Sequence, residues 1–259
     1  METFFNIRYE MDRFVVLDSI SRRLRKPGAD YICVSDGVIL NTANRRKNYL
    51  DVINGGMFSI CDSSCVPLYI KWIHGKEYQQ YCGSEIFRDI ITSRNYRMIF
   101  LGAQQNILDA LKSNLLDLNP DVADMTFHEL PFCKVEDFDY PAIAKMIEDD
   151  HADIIWVALG APKQEYFMSM LKPHLKHGVM IAVGAAFKFY SGISVKRAPK
   201  WMIRNHLEFV HRMYKEPKKQ IPRCYDIIRT LPGLLYDEYR RKKAQESEIL
   251  LHHNETIFE

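Results

Sequence analysis

An α/β fold with a mostly parallel sheet and helices on both of its faces is predicted by three features of the 259-residue sequence. Short, almost continuously apolar runs recur along it: YICV (31–34), MFSIC (57–61), RMIFLG (97–102), DIIWVALG (153–160) and GVMIAVG (178–184). They are rich in Ile, Val and aromatics without strict alternation, the pattern of strands covered on both sides. Helix-length segments lie between them, including SEIFRDIITSR and DYPAIAKMIEDDHA, so the strands should pair in parallel through crossover helices.

Composition narrows the class. A hydrophobic fraction of 47% with 26% charged residues is that of a globular protein, long enough for one α/β domain with an appendage or for two small domains. No run approaches the roughly 18 apolar residues of a spanning helix, and METFFNIRYEMDR lacks a secretory pattern, so a cytoplasmic location is expected. The six cysteines (33, 61, 65, 82, 133 and 224) are expected to be reduced thiols.

The net charge of +2 is unevenly divided. Between Arg212 and Lys243 ten Lys/Arg face four acids, a surplus of +6, which leaves the remainder at −4. Prolines 217, 222 and 232 punctuate this otherwise helical tail. The expected division is therefore a domain over residues 1–211 and a basic appendage over residues 212–259. The appendage reads as a helix packed back on the body, a nucleic-acid arm or a membrane-surface segment. Ile221, Tyr225, Ile228, Leu231, Leu234 and Leu235 recur at three- and four-residue spacing beside Lys and Arg, which suits an anionic membrane face at roughly 1 kcal/mol per basic residue. Packing on the body is compatible with that role.

In parallel sheets ligands bind beyond the carboxyl ends of the strands. The five predicted ends carry Ser35-Asp36-Gly37, Asp62-Ser63-Ser64, Gly102-Ala103-Gln104, ALGAPKQE (158–165) and VGAAFKFYSG (183–192). Asp62 is a candidate general base, since a carboxylate at a buried strand end can be shifted toward neutrality; taken by itself, the residue reads first as an N-cap or turn aspartate. Gly160 and Gln164 lead into a helix whose first turn suits Pro162 and whose free N–H groups could receive a phosphate; an ordinary strand-to-helix turn is the alternative. Gly184, Ala185 and Ala186 leave the backbone open to close approach. Asp137-Phe138-Asp139 matches a metal-holding D-x-D pattern, but in a loop with no strand feeding it. Cys61 and Cys65 have no second Cys/His pair at zinc spacing, so no metal is expected. Neither G-x-G-x-x-G nor G-x-x-x-x-G-K-[ST] occurs.

Taken together, VALGAPKQE, AVGAAFKFYSGISVKRAPKWM and HLEFVHRMYKEPKK, with GSEIF (83–87) and LG (101–102), resemble the WecG/TagA/CpsF family of bacterial glycosyltransferases (glycosyltransferase family 26) over about residues 30–220. The resemblance implies a Rossmann-like fold with a basic C-terminal appendage. It implies inverting transfer of N-acetylmannosamine or a related hexose from a UDP-sugar to a polyprenyl-diphosphate-linked sugar at the inner membrane face, without a metal or other cofactor. It places the general base on Asp62 and a donor-site glutamine on Gln164. Asp36, Gly102, Gly160, Gly184, Ala185, Phe187 and Lys188 are the further donor-site expectations, and Gln80, Gly83 and Ser84 line the acceptor side. Arg212, Lys218, Lys219, Arg223 and Arg229 are expected to meet membrane or diphosphate phosphates. A nucleic-acid partner is not expected; a homo-oligomer is compatible with the sequence.

This chain departs from the family pattern at several positions. Asp36 stands where Asn is usual, Gln80 where Arg is usual, Lys188 where Asp is usual, and Ser63 and His206 where Gly is usual. Asp36 and Lys188 are expected to face one another, Lys188 supplying the positive charge absent at position 80. A binding module that has lost turnover through these changes is the competing reading; a Rossmann-type oxidoreductase is disfavoured by the missing glycine fingerprint.

Overall fold

The computed structural model describes residues 1–193 and 217–257, together with positions 202, 210, 213 and 214. The KRAPKWM segment except Met202, most of residues 203–216, and Arg212 and His206 with them, lie outside the described residues, as does the side chain of Lys219.

All five predicted strands form: β3 (Asp30–Ser35), β4 (Phe58–Cys61), β5 (Met98–Gly102), β7 (Ile154–Ala158) and β8 (Val179–Ala182). Three short strands join them: β1 (Glu2–Phe4), β2 (Ile7–Tyr9) and β6 (Thr126–His128). The sheet order is β1-β2-β4-β3-β8-β7-β5-β6, parallel except for the β1–β2 hairpin. β3 and β8 are neighbours, with Ile32 beside Ile181, so Asp36 and Gly184 leave the sheet at the same edge.

The helices are α1 (Arg13–Leu24), α2 (Gly37–Arg45), α3 (Lys47–Asn54), α4 (Val66–His74), α5 (Gly83–Ser93), α6 (Gln105–Leu115), α7 (Tyr140–Asp150), α8 (Lys163–Leu171), α9 (Ala185–Ser191) and α10 (Pro217–Ile257). Alternate strand residues feed two cores. Tyr31, Cys33, Ile155, Val157 and Met180 pack against α2, α3, α4, α7 and α8. Ile32, Val34, Ile154, Trp156 and Ile181 pack against α1, α5, α6 and α9. Both sheet faces are therefore covered, which is why the strands read as apolar runs.

The tail differs from its punctuated reading. Residues 217–257 form one continuous helix through Pro222 and Pro232. Both prolines are exposed, so the carbonyls that lose a helix partner stay open to water. α10 packs across α2 and α4. Thr230 hydrogen-bonds Asn41, Arg45 lies 3.7 Å from Asp226, and Leu235 joins the core. Its other side presents Ile221, Tyr225, Ile228, Tyr236 and Tyr239 to solvent, a stripe at spacings of four, three, eight and three residues that keeps to one helix face. α10 is thus apolar on both sides: Ile227 and Leu235 face the body beside the polar contacts of Thr230 and Asp226, and the outer stripe is apolar as well.

Candidate active site

Five parallel strands bring Asp36, Asp62, Gly102, Gly160 and Gly184 to one rim. Asp62 is half-buried there and fixed from three sides. Its N–H donates to the Ser35 carbonyl at 3.0 Å, and its own carbonyl accepts from Gln80 Nε2 at 2.9 Å. Its carboxylate Oδ1 accepts from the Gly83 N–H, at the start of α5, at 2.8 Å. The approach at Gly83 is close: a Cβ would stand 3.0 Å from Val34 Cγ1, so that side chain would have to give way to any larger residue. Gln80, Gly83 and Asp62 thus form one cluster, and Gln80 serves as a brace for the aspartate backbone. Ser84 ties α5 to α9, its carbonyl accepting from the Tyr190 hydroxyl at 3.0 Å.

Asp36 caps α2, with Oδ1 accepting from the Val38 and Ile39 N–H groups at 2.9 Å each. Lys188, expected to face it, forms no ion pair with it. The phase of α9 is the reason. Phe187 is fully buried beside Phe87 and Phe100, with ring centroids at 5.8 and 5.9 Å, and the next residue, turned about 100° around the helix, is exposed Lys188. Burying the Phe187 ring contributes about 2–3 kcal/mol, which turning Lys188 inward would forfeit. The Phe187 side chain accordingly belongs to the core and not to a ligand surface. Ala185, by contrast, is exposed at the rim.

Gly102 has φ +95°, and a Cβ there would meet the Ala158 carbonyl at 2.9 Å, so the β5 and β7 ends run in close contact. Pro162 stands at the N-cap of α8, one position earlier than the first turn, and Ala161–Pro162 is cis. Gln164 is buried. Its Oε1 accepts from Gly160 N–H at 3.0 Å, and its Nε2 donates to Glu165 Oε1 at 2.8 Å. A Cβ at Gly184 would lie 3.3 Å from Gln164 Oε1, so this amide sits between the turns after β7 and β8. Glu165 is 0% exposed; its Oε2 accepts from the hydroxyl of Tyr49, on α3, at 3.1 Å. Burial pushes its carboxyl up to about 7, against the opposing pull of those hydrogen bonds, with nearby Asp36 adding to the rise. Tyr49 is raised as well, by burial and by Glu165.

Asp137 ends a short 3-10 turn and Asp139 caps α7 through the Ala142 N–H, which is ordinary loop duty. Among the tail cations, Lys218 and Arg229 are exposed, whereas Arg223 enters a cleft of about 220 Å³ with Arg45, Arg46 and Asp226 between α2 and α10. A larger cavity, about 490 Å³, lies at the opposite edge of the sheet beside His151, Asp153 and His177. Those residues precede strands or end a helix, away from the rim.

The rim, its braced aspartate and the Gln164 turn are the geometry of the motifs quoted above, and the sequence profile of the glycosyl transferase WecG/TagA/CpsF family matches residues 3–247. The chain belongs to this family. Its relatives include the N-acetylglucosaminyldiphosphoundecaprenol N-acetyl-beta-D-mannosaminyltransferase of Bacillus subtilis (strain 168), 27% identical over 198 residues that cover 72% of this chain and 75% of the relative. The protein of the same description from Staphylococcus aureus (strain MW2) is 24% identical over 216 residues, covering 82% and 81%. As a member of a glycosyl transferase family, this protein has its motif glutamine behind the rim and its motif aspartate on it. Among the described residues no helix is long and apolar enough to cross a membrane. Among the buried glutamates that the sequence reading did not single out are Glu165, the last residue of ALGAPKQE, and Glu238 of α10, one of four acids in a basic tail.

Proposed function

We propose that this protein is an inverting hexosyltransferase that moves N-acetylmannosamine or a related hexose from a UDP-sugar to a polyprenyl-diphosphate-linked sugar. Family membership supports the transferase class, and the names of the relatives support the sugar and the lipid-linked acceptor. The observation that carries the mechanism is Asp62, held at the strand-end rim by Ser35, Gln80 and Gly83. In the proposed step the acceptor hydroxyl oxygen bonds to the anomeric carbon while its proton passes to Asp62. The bond from that carbon to UDP breaks on the opposite face, and UDP leaves with the electron pair. Charge gathering on the diphosphate calls for N–H donors and cations at the Gly102, Gly160 and Gly184 turns or from the tail.

The apolar outer stripe of α10 supports a peripheral membrane role, with Arg229, Arg240 and Lys243 beside it on the exposed side. Such a helix lies in the interface plane, and its docking on α2 would bring the rim to a lipid-borne acceptor.

Incubation with a panel of UDP-sugars, with and without lipid-linked acceptor, tests the reading. UDP release that depends on acceptor is expected, and Asp62→Asn should reduce it about 10²–10⁴-fold. Normal turnover by Asp62→Asn removes the base assignment. The second reading, a binding module without turnover, is favoured by the substitutions at Asp36, Gln80 and Lys188; nucleotide binding with no UDP release by the native chain would establish it.

A further inference from the structure

Behind the rim, Tyr49, Glu165 and Gln164 form a hydrogen-bonded chain that the transfer step leaves without a task. The three are 1%, 0% and 5% exposed. Two side-chain donors reach the Glu165 carboxylate, one per oxygen: the Tyr49 hydroxyl at 3.1 Å and Gln164 Nε2 at 2.8 Å. In its ionised form this carboxylate only accepts, and it then draws the NH₂ of Gln164 to itself and turns Oε1 away. That oxygen then takes the Gly160 N–H at 3.0 Å and lies where Gly184 approaches most closely. The Gly160 N–H, which can only donate, selects the same orientation from the other end, so the amide is fixed from both sides and Glu165 supplies one of the two selections. No Lys, Arg or His among the described residues forms an ion pair with Glu165, so its hydrogen-bonding shape, rather than a salt bridge, is what it contributes.

We propose that Glu165 is a positioning residue of the donor site: anchored by Tyr49, it orients the Gln164 amide and so holds the turns after β7 and β8 in one fixed relation to receive a nucleoside-diphosphate sugar. This rests on the donor reading above. Glutamine at 165 has a single acceptor oxygen, so one of the two side-chain donors would then face an NH₂ group, and the Gln164 amide would be held by the Gly160 N–H alone.

The test compares the full-length native chain with Glu165→Gln and Tyr49→Phe, in steady-state kinetics with a UDP-hexose and a lipid-linked acceptor, and in amide spectra of the ligand-free proteins. Expected for Glu165→Gln is a donor KM about tenfold higher, the equivalent of one hydrogen bond, with kcat and acceptor KM within about twofold. Tyr49→Phe should raise the donor KM about threefold. The Gly160 and Gly184 amide signals should move in both variants. An unchanged donor KM, or a fall in kcat at constant donor KM, overturns the proposal. If the native chain turns over no UDP-sugar, it is the donor reading that fails, and glycine signals unmoved by either variant would then overturn the positioning role on their own. Should Glu165→Gln fail to fold, Tyr49→Phe decides the matter.

Discussion

Glu165 on α8 and Glu238 on α10 are both buried carboxylates, 0% and 3% exposed, yet their surroundings are opposite in kind. Glu165 receives two uncharged donors, Tyr49 and Gln164, with Cys33 and Asp36 close by. Glu238 accepts from the Phe5 N–H at 2.8 Å, lies 2.9 Å from His74 Nε2 and pairs with Arg241 at 2.6 Å. The second arrangement joins three elements that are remote in sequence: the β1–β2 hairpin, α4 and α10. Burial alone therefore does not define what a glutamate does. With cationic and backbone donors it clasps elements together; with neutral donors only, it becomes a titratable group that sets the orientation of its neighbours.

The contrast can be broken most forcefully at Glu238. Glu238→Ala strips the partner from Phe5 N–H, His74 and Arg241 at once, and removing one side of a buried pair costs about 3–5 kcal/mol. Urea unfolding should show this loss, and proteolysis should open α10 first; a change below about 1 kcal/mol would mean that α10 is held by its apolar contacts instead.

Next in size is a pH effect confined to Glu165. Its folded-state value of about 7 stands above the ordinary 4.5, so between those values the folded protein binds a proton that the unfolded chain has released. This contribution to stability is complete below about pH 4.5 and is lost as pH rises through 7, in total on the order of 3 kcal/mol. Tyr49, Cys33 and Asp36 face the same carboxyl, and the first two are themselves held neutral by burial. Glu165→Gln should flatten this limb of the stability profile, whereas Glu238→Gln should leave it in place. A limb that survives Glu165→Gln belongs to another group.

The smallest expected change in stability sharpens the contrast between the two sides of α10. Ile228 is 69% exposed, so Ile228→Asp should alter unfolding by less than about 0.5 kcal/mol. The same substitution should weaken sedimentation with anionic vesicles; undiminished binding would remove the outer stripe from the membrane reading.

These particulars also mark what the sequence made legible. The five central strands were readable because strands covered on both faces are apolar throughout. β1, β2 and β6, of three residues each, are too short to stand out as runs. The rim position of Asp62 and the turn before α8 followed from strand ends. The sequence did not resolve which residue of α9 turns inward, because this helix is only seven residues long; the structure buries Phe187 and leaves Lys188 exposed. Nothing local marks Glu165 or Glu238 as buried, because their defining partners, Tyr49 and Phe5, lie 116 and 233 positions away. Helix periodicity finds neither. The prolines of α10 signalled breaks, but their exposed side tolerates a missing hydrogen bond.

The Phe5–Glu238 contact also has a consequence for synthesis. Phe5 and Asn6, with φ 50° and 65°, turn the hairpin, and this turn is among the first parts of the chain to be made. Its buried N–H has to wait for a carboxylate 233 positions later. At about 5–20 residues per second that delay is on the order of 10–50 s. Until then the edge formed by β1 and β2 lacks its fastener, so a chain released before Glu238 emerges would carry an assembled sheet with one unlatched corner.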